Sequence, residues 1–507
     1  MLSALLLLVI STLLLIYLYR FSKQRPPNFP PGPPRLPIWG SYFLVLLNNF
    51  KFTHKGYHNL AEKYRTKILG LHLGPFPTVV VNSYELIREV LLRPEFQGRV
   101  KLPIINERTY DKNLGIIFTD GLFWEQQRRF SLRHMRDYGF GRRFPQLEAI
   151  GQEEIQDMLD LLNGQREDKE ISKNGHVRLP DLFYNVFFNP IWFIITGQRF
   201  PVKDHAKLRY FTRQALRHQR SIDVTGNALV LSPWLKHIAP NYFGYTDLME
   251  STGNMLRYIK DAVKEHMATY SEDFIRDFTD KFLMEMKKYE HVDEPTTFME
   301  EQLRVVGLDY LFPASTTVTA TLNFTIVHLL HHPEVQEKMQ NEIDMVVGRN
   351  RLPTLDDRSR LPYNEAVLRE SMRKETLVPL SVVHRATEST ELGGYTIPKD
   401  TLMVVNLWSF HNDPEFWEDP EVYRPERFLD VHGQLLKKDY SLPFGAGKRL
   451  CAGETYSRHF MFLTLSALMQ NFTVKGVPGK PLPTMEPDRP GIIVTKNDFW
   501  VRFEPRE

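Results

Sequence analysis

Cysteine is almost absent from this chain. Of 507 residues only Cys451 carries a thiol, so no internal disulfide and no multi-cysteine zinc site can form. The lack of pairs suits a reducing compartment. Charge of one sign is lacking too: 64 basic residues face 61 acidic ones, and this balance carries no nucleic-acid footprint. There is no internal repeat, and no flexible linker after residue 40. A chain of this length has room for about three domains, yet without repeats or linkers it reads as one large, mostly helical domain.

Charge is missing altogether from residues 2–19, a run of about 18 residues dominated by Leu, Ile and Val, at the lower limit for crossing a bilayer as a helix. Arg20, Lys23 and Arg25 follow, which favours keeping that flank on the cytoplasmic side. A cleaved secretory peptide is the competing reading, but its charged leading region and small-x-small cleavage site are absent. Residues 26–40 hold seven prolines in fifteen positions and cannot propagate a helix. They read as a stiff, extended connector, with a proline-rich ligand for a signalling domain as the alternative.

In the body, HKGYHNLAEKY, EEIQDMLDLL and TGNMLRYIKDAVKEHMATY read as amphipathic helices, and KILGLHL and PTVVVN as short strands. VPLSVVHRATEST and YTIPKDTLMVVNLWSFHNDP read as further strands and turns. Trp124 and Arg128 stand four apart, and Glu370 and Arg373 three apart, each pair on one helical face. Residues 183–234 are apolar, for which core packing is the default account. Residues 299–330 read as one long central helix. Pro313, inside its FPASTTVTAT run, should bend or loosen it and free carbonyls and hydroxyls to hold water. The HLLHH run at His328, His331 and His332 lacks the glutamate of a zinc-protease motif, and Pro333 marks a new helix, so it reads as a junction.

Cys451 sits within PFGAGKRLCAG, with Lys448 and Arg449 just before it and a helical pattern just after it. Both features predict a lowered thiol pKa. Such a sulfur could ligate a metal, act as a nucleophile, or remain an inert buried thiol. Gly445 and Gly447 do not open a dinucleotide fingerprint, because Leu450 replaces its third glycine.

The order Phe444, Gly447, Arg449, Cys451, Gly453 resembles the haem-binding loop of the cytochromes P450, and further matches in the family's order extend the resemblance over about residues 1 to 500. The membrane-anchored animal enzymes of the drug, fatty-acid and terpenoid oxidising group, invertebrate members above all, are the nearest in character. The resemblance implies a mainly α fold with small β-sheets, a single large domain with a long central helix over haem, and an N-terminal transmembrane helix. It divides the chain into an anchor at 1–20, a basic and proline-rich hinge at 21–41 and a haem-thiolate catalytic domain at 42–507.

By the same resemblance Cys451 is the iron ligand of haem b, iron protoporphyrin IX, in a loop that includes Phe444 and Gly453. Arg99, Trp124, Arg128, His384 and Arg449 meet its propionates. Glu370, Arg373 and Arg427 form a structural support for the loop. Residues 376–383 and 490–494 line the substrate cavity, and residues 183–234 contribute roof and a membrane-facing loop. On the distal helix Thr317 holds the catalytic threonine position and Thr316 the place of the usual acid, so no carboxylate precedes Thr317.

The implied activity is insertion of one oxygen from O2 into a small apolar substrate, a terpenoid, fatty acid, steroid or xenobiotic. Electrons would come from NADPH through a P450 reductase, with cytochrome b5 as a further partner, at the endoplasmic reticulum membrane and with the catalytic domain in the cytoplasm. Arg128, Arg129, Arg133 and Lys448 offer the reductase a basic face, which a merely solvated surface explains equally well. The missing acid leaves open atypical chemistry, either N-hydroxylation of an amino acid to an aldoxime or a reductase-independent isomerisation or dehydration. A non-catalytic haem binder is the remaining class.

Overall fold

The charge-free run at the start forms helix α1, Leu2–Ser22, in the computed structural model, which describes residues 2–221, 227–291 and 295–507. Several side chains of the expected anchor lie outside the described residues. Those described at Leu6, Val9, Ile10, Leu13 and Ile16 are exposed. Among the described residues no helix is long and apolar enough to cross a membrane.

The proline-rich stretch is non-helical as expected, but it does not stand free as a spacer. The Arg25 guanidinium donates to the carbonyls of Pro30 at 3.1 Å, Pro33 at 2.6 Å and Gly70 at 3.3 Å, and also to that of Gly32. Gly70, in strand β1 (Ile68–Leu73), returns its N–H to the Pro31 carbonyl at 2.8 Å. A Cβ on Gly32 would lie far inside van der Waals contact with the Gly70 carbonyl oxygen, so this close crossing requires glycine. The segment is strapped to the edge of the sheet at β1.

That sheet contains β1, β2 (Phe76–Val81), β3 (Gly98–Arg99), β4 (His384–Arg385) and β5 (Leu402–Val405), in the order β1-β2-β5-β4-β3. The pairing of β3 with β4 is antiparallel and sets Arg99 opposite His384. The expected strand through LWSFH ends instead at Val405. Leu407–His411 is helical, because the Asn406 side chain accepts the Ser409 N–H at 3.2 Å and caps a turn.

Five further helices position the site around a sixth: α2 (Tyr84–Leu92), α3 (Gly121–Asp137), α4 (Tyr184–Thr196), α5 (His205–Ser221), α6 (Tyr245–Thr269) and the central α7 (Glu300–His331). Helix α7 is 32 residues long and apolar on most sides, and it packs against α4, α5 and α6 as well as α8 (Pro362–Glu375) and α9 (Glu454–Asn471). A helix that is apolar all round belongs in the core. Almost all of α4 is buried, so core packing rather than a substrate roof accounts for that part of 183–234. Residues 222–226 of that stretch lie outside the described residues.

Helix α7 is continuous through Pro313. Pro313 has no N–H for the carbonyl four residues earlier, but the hydroxyls around it close the segment rather than open it. Thr316 donates to the Phe312 carbonyl at 2.7 Å, Thr317 to Pro313 at 2.9 Å, Thr319 to Ser315 at 2.8 Å and Thr321 to Thr317 at 3.0 Å. Its end is a junction: His328 pairs with Glu375 at 2.6 Å and His331 with the Pro483 carbonyl at 2.8 Å, and Pro333 begins the next helix.

Replacing Gly32 by Ala should push the proline segment off β1 and lower the unfolding free energy by about 1–3 kcal/mol. Limited proteolysis should then cut within residues 26–40 faster than in the parent. An unchanged cutting rate would show that the strap is held elsewhere.

Candidate active site

One stripe of α7, at Tyr310, Ala314, Thr317 and Thr321, faces a cavity of about 320 Å3 whose opposite wall is the loop from Pro443 to Gly453. Residues 116–118, 376–383 and 490–494 complete the enclosure, the last two as the sequence led one to expect. The walls near α7 are largely apolar and those near the loop are charged.

The loop is held by its own backbone. The Cys451 N–H donates to the Phe444 carbonyl at 2.9 Å and the Leu450 N–H to the Gly447 carbonyl at 3.1 Å. Gly447 has φ of +69°, and a Cβ there would strike the Leu91 carbonyl of α2, so both conformation and contact demand glycine. The Cys451 sulfur is open to the cavity although protein surrounds it on every side. Burial pushes its pKa up, against the lowering by the Gly453 N–H and Arg128. The expectation of a low thiol pKa is therefore overturned. Lys448 turns outward to Glu125 at 3.8 Å, and Arg449 turns to the Gln97 carbonyl at 2.7 Å. Ligation to a metal cation would reverse this preference, since a coordinated thiol loses its proton.

Around the loop stand the five expected donors. Arg99 gives its Nε–H to the Ile117 carbonyl at 3.1 Å and other N–H groups to Val382 and Val383. Arg128 donates to the Leu450 carbonyl, and the Arg449 guanidinium lies 3.5 Å from the Trp124 ring centre. The Trp124 indole N–H and one Arg449 nitrogen are buried without a partner. Asp120 serves the Arg99 N–H at 2.9 Å and Arg385 at 2.6 Å, and it offsets this cluster together with Glu125, which acts on Arg449. Burial, then the neighbouring Arg128, pull Arg449 down to about 9, and Arg99 also falls well below the ordinary arginine range through burial and the other two guanidinium groups. His384 donates from Nδ1 to the Phe96 carbonyl at 2.7 Å, and burial followed by Arg99 keeps the ring neutral. Its Nε2 can donate only if an arriving anion brings back the proton. This excess of buried donors, an indole N–H and one Arg449 nitrogen among them orphaned, fits a ligand with two carboxylates and a metal for the sulfur.

Beneath the cavity Glu370 has no exposed surface and accepts from Arg373 at 2.7 and 2.8 Å and from Arg427 at 3.1 Å. Arg373 continues to the His411 carbonyl at 2.8 Å. The His411 imidazole, neutral with its pKa down to about 4 through burial, joins Thr376 at 2.6 Å to the Ser441 carbonyl at 2.6 Å. Ser441 opens the approach to the cysteine loop. The support therefore runs through His411, which no local sequence pattern marks.

On the distal side the structure separates the two threonines. Thr317 lines the cavity, whereas Thr316 is buried outside the lining stripe, its hydroxyl spent on Phe312. Thr316 therefore does not stand in the cavity in place of an acid, because one residue of helix rotates a side chain by about 100°. A carboxylate does reach the wall, at Asp309, two turns before Thr317 on the same stripe. It accepts the Ile116 and Ile117 N–H groups at 2.7 and 3.1 Å, so it pins a loop. Of the expected basic face, Arg129, Arg133 and Lys448 are exposed and Arg128 points inward.

A family model described as Cytochrome P450 matches residues 30–503. A farnesoate epoxidase of Bombyx mori is 34% identical over 497 residues, covering 97% of each chain. A probable cytochrome P450 305a1 of Drosophila melanogaster is 31% identical over 499 residues, again covering 97% of each. Cytochrome P450 2J5 of Mus musculus is 34% identical over 509 residues, with 100% of this chain and 96% of its own length covered.

Glu370→Gln would leave two buried guanidinium groups without their charge partner, and should cost about 3–5 kcal/mol of stability. The measurement is the unfolding midpoint together with the amount of haem retained on purification. An unchanged midpoint would remove Glu370 from the account of the loop's support.

Proposed function

The chain belongs to the cytochrome P450 family of monooxygenases that bind haem b through a cysteine thiolate, and from that premise we propose a small apolar substrate, a terpenoid above all. One oxygen atom from O2 enters that substrate, with electrons from NADPH through a P450 reductase. The observation that carries the reading is the apolar space between the α7 stripe and Cys451, walled by side chains such as Ile116, Phe118, Leu380 and Val494. The similarity to a protein named for farnesoate supports a terpenoid among apolar candidates.

When bound, haem supplies dioxygen activation: two electrons and two protons take one oxygen atom to water while the other enters the substrate. In this reading Cys451 holds the iron, the Gly453 N–H steadies the sulfur, and Arg99, Trp124, Arg128, His384 and Arg449 hold the propionates. Phe444 shields the sulfur's loop, and Glu370, Arg373 and Arg427 brace it. Thr317 spends its own proton on the Pro313 carbonyl, so its hydroxyl presents lone pairs to a water in the cavity and orients that water. Proton delivery then depends on water held at Thr317 rather than on a neighbouring carboxylate.

Arg129, Arg133 and Lys448 form the proposed face for the reductase and for cytochrome b5. The anchor at residues 1–20 places residues 42–507 on the cytoplasmic side of the endoplasmic reticulum membrane, behind the hinge at 21–41. Exposed Ile38, Phe43 and Leu47, joined to exposed Trp234 and Ile238 through the Trp39 bond to Ser232 at 2.9 Å, support a second apolar contact with that membrane.

The test reconstitutes the holoenzyme with reductase, NADPH and isotopically labelled O2, and offers terpenoids, fatty acids, steroids and aromatic amino acids. One labelled atom should appear in a terpenoid product, and turnover without reductase or O2 would overturn the reading. Thr317→Val should lower product formed per O2 consumed by at least about tenfold. Thr316→Val should leave that ratio within about twofold, since its hydroxyl serves only the helix. Equal effects of the two substitutions would refute the assignment of the water to Thr317.

A further inference from the structure

Tyr310 carries a buried hydroxyl without a partner. It stands on the cavity stripe of α7, is 5% exposed, and its oxygen has no hydrogen bond. A buried tyrosine hydroxyl ordinarily finds one. The ring is fixed by packing edge-on against Phe140 at 5.2 Å between centres, and Phe140 in turn stacks on Tyr456 at 5.7 Å. Burial raises the phenol's pKa and outweighs the lowering by Arg128, so the group keeps its proton and offers it. The Ser131 hydroxyl beside it, on α3, is buried and unpaired as well.

The neighbours decide what kind of acceptor is missing. Arg128 donates to the Leu450 carbonyl, next to Cys451. Burial pulls its pKa down, and the ionisable groups that oppose this are the Tyr310 phenol and the Cys451 thiol, both kept protonated by burial. Asp309, one residue before Tyr310, is turned to the Ile116 and Ile117 N–H groups. The guanidinium therefore lacks a counter-ion where the phenol lacks an acceptor. Water or a neutral substrate oxygen would satisfy the phenol and leave the cation uncompensated. One carboxylate satisfies both.

We infer that Tyr310 is a further holder of the haem, its hydroxyl donating to the same propionate as Arg128. The inference rests on the placing of the propionates proposed above and is independent of the terpenoid reading. The five donors named there come from β3, β4, α3 and the cysteine loop. Tyr310 adds one from α7, on the stripe that carries Ala314 and Thr317. A single carboxylate then ties the distal stripe to α3 and to the loop of Cys451, so that loading the cofactor also sets the place of Thr317.

The test uses substrate-free holoenzyme and two readouts, haem transfer to excess apomyoglobin and the propionate-bending band of the resonance Raman spectrum. Tyr310→Phe keeps the ring on Phe140 and removes the donor. It should speed haem release on the order of tenfold, as loss of a hydrogen bond to a charged group does, and shift the band. 3-Fluorotyrosine placed at position 310, a stronger donor of nearly the same shape, should move the band the opposite way, and this decides the matter even where the Phe variant loads haem poorly. Ser131→Ala should leave haem release within about twofold; an effect equal to that of Tyr310→Phe would assign the two hydroxyls to the packing of α3 on α7 and overturn the inference. Trp124→Phe is the reference for the propionates themselves. A band that answers Trp124→Phe but neither change at position 310 overturns the inference alone, whereas silence in all three overturns the placing of the propionates as well. Weaker terpenoid binding in Tyr310→Phe with unaltered haem release and band would give the hydroxyl to the substrate, and the inference would fall.

Discussion

Glu370 accepts two hydrogen bonds from Arg373, one from Arg427 and one from the Arg424 N–H at 2.9 Å, with no exposed surface of its own. A carboxylate taken wholly out of water survives only when its lone pairs are filled. Here they are filled by groups that then reach outward. Arg373 spends its remaining donors on the carbonyls of His411 and Pro420, and Arg427 spends its own on Trp417, Glu418, Asp419 and Val422. Five backbone carbonyls around residue 420 are thereby fixed relative to α8, and His411 carries that rigidity to Ser441. The position of the sulfur is thus referred to a charge far below it.

Above this base the structure concentrates costs that a cofactor can reverse. Three guanidinium groups share one pocket offset by Asp120 and, at Arg449, Glu125; an indole N–H has no acceptor, and burial favours the protonated thiol. Each becomes favourable when two carboxylates and a metal ion arrive. Whatever binds the folded chain and not the unfolded one stabilises it, so haem loading and the stability of the lower half are one equilibrium. Burial first and the neighbouring Arg128 second lower the Arg449 pKa, and carboxylates placed beside it would oppose both effects.

The parts of this site that could be read from the chain were those with short-range signatures. The loop around Cys451, the spacing of Glu370 and Arg373 and the helical run around Trp124 each span a few residues. Gly447 was legible only as a position of that loop pattern, and the structure supplies its reason, a φ of +69° and a contact with Leu91 that both exclude a side chain. The pairing of Arg99 with His384 joins residues far apart in sequence through a two-residue strand pair, too short to leave a pattern. His411 escaped for a related reason, since its segment reads as strand until the Asn406 cap turns it into helix. The thiol pKa was misjudged because neighbours in sequence, Lys448 and Arg449, point away in space, and burial then dominates.

The distal wall fails to be legible for a geometrical reason. On a helix a shift of one position turns a side chain through more than a quarter of a circle, so Thr316 and Thr317, equivalent as letters, face a buried backbone and an open cavity. The same stripe brings Asp309 into the wall two turns earlier, where its carboxylate is spent on backbone amides and its charge on Arg108. The acid missing beside Thr317 is therefore not supplied from Asp309: a group that pins a loop and balances a buried cation cannot also pass protons without releasing both. In the proposed reading proton delivery is left to water ordered by the Thr317 hydroxyl, whose own hydrogen is already engaged by the Pro313 carbonyl.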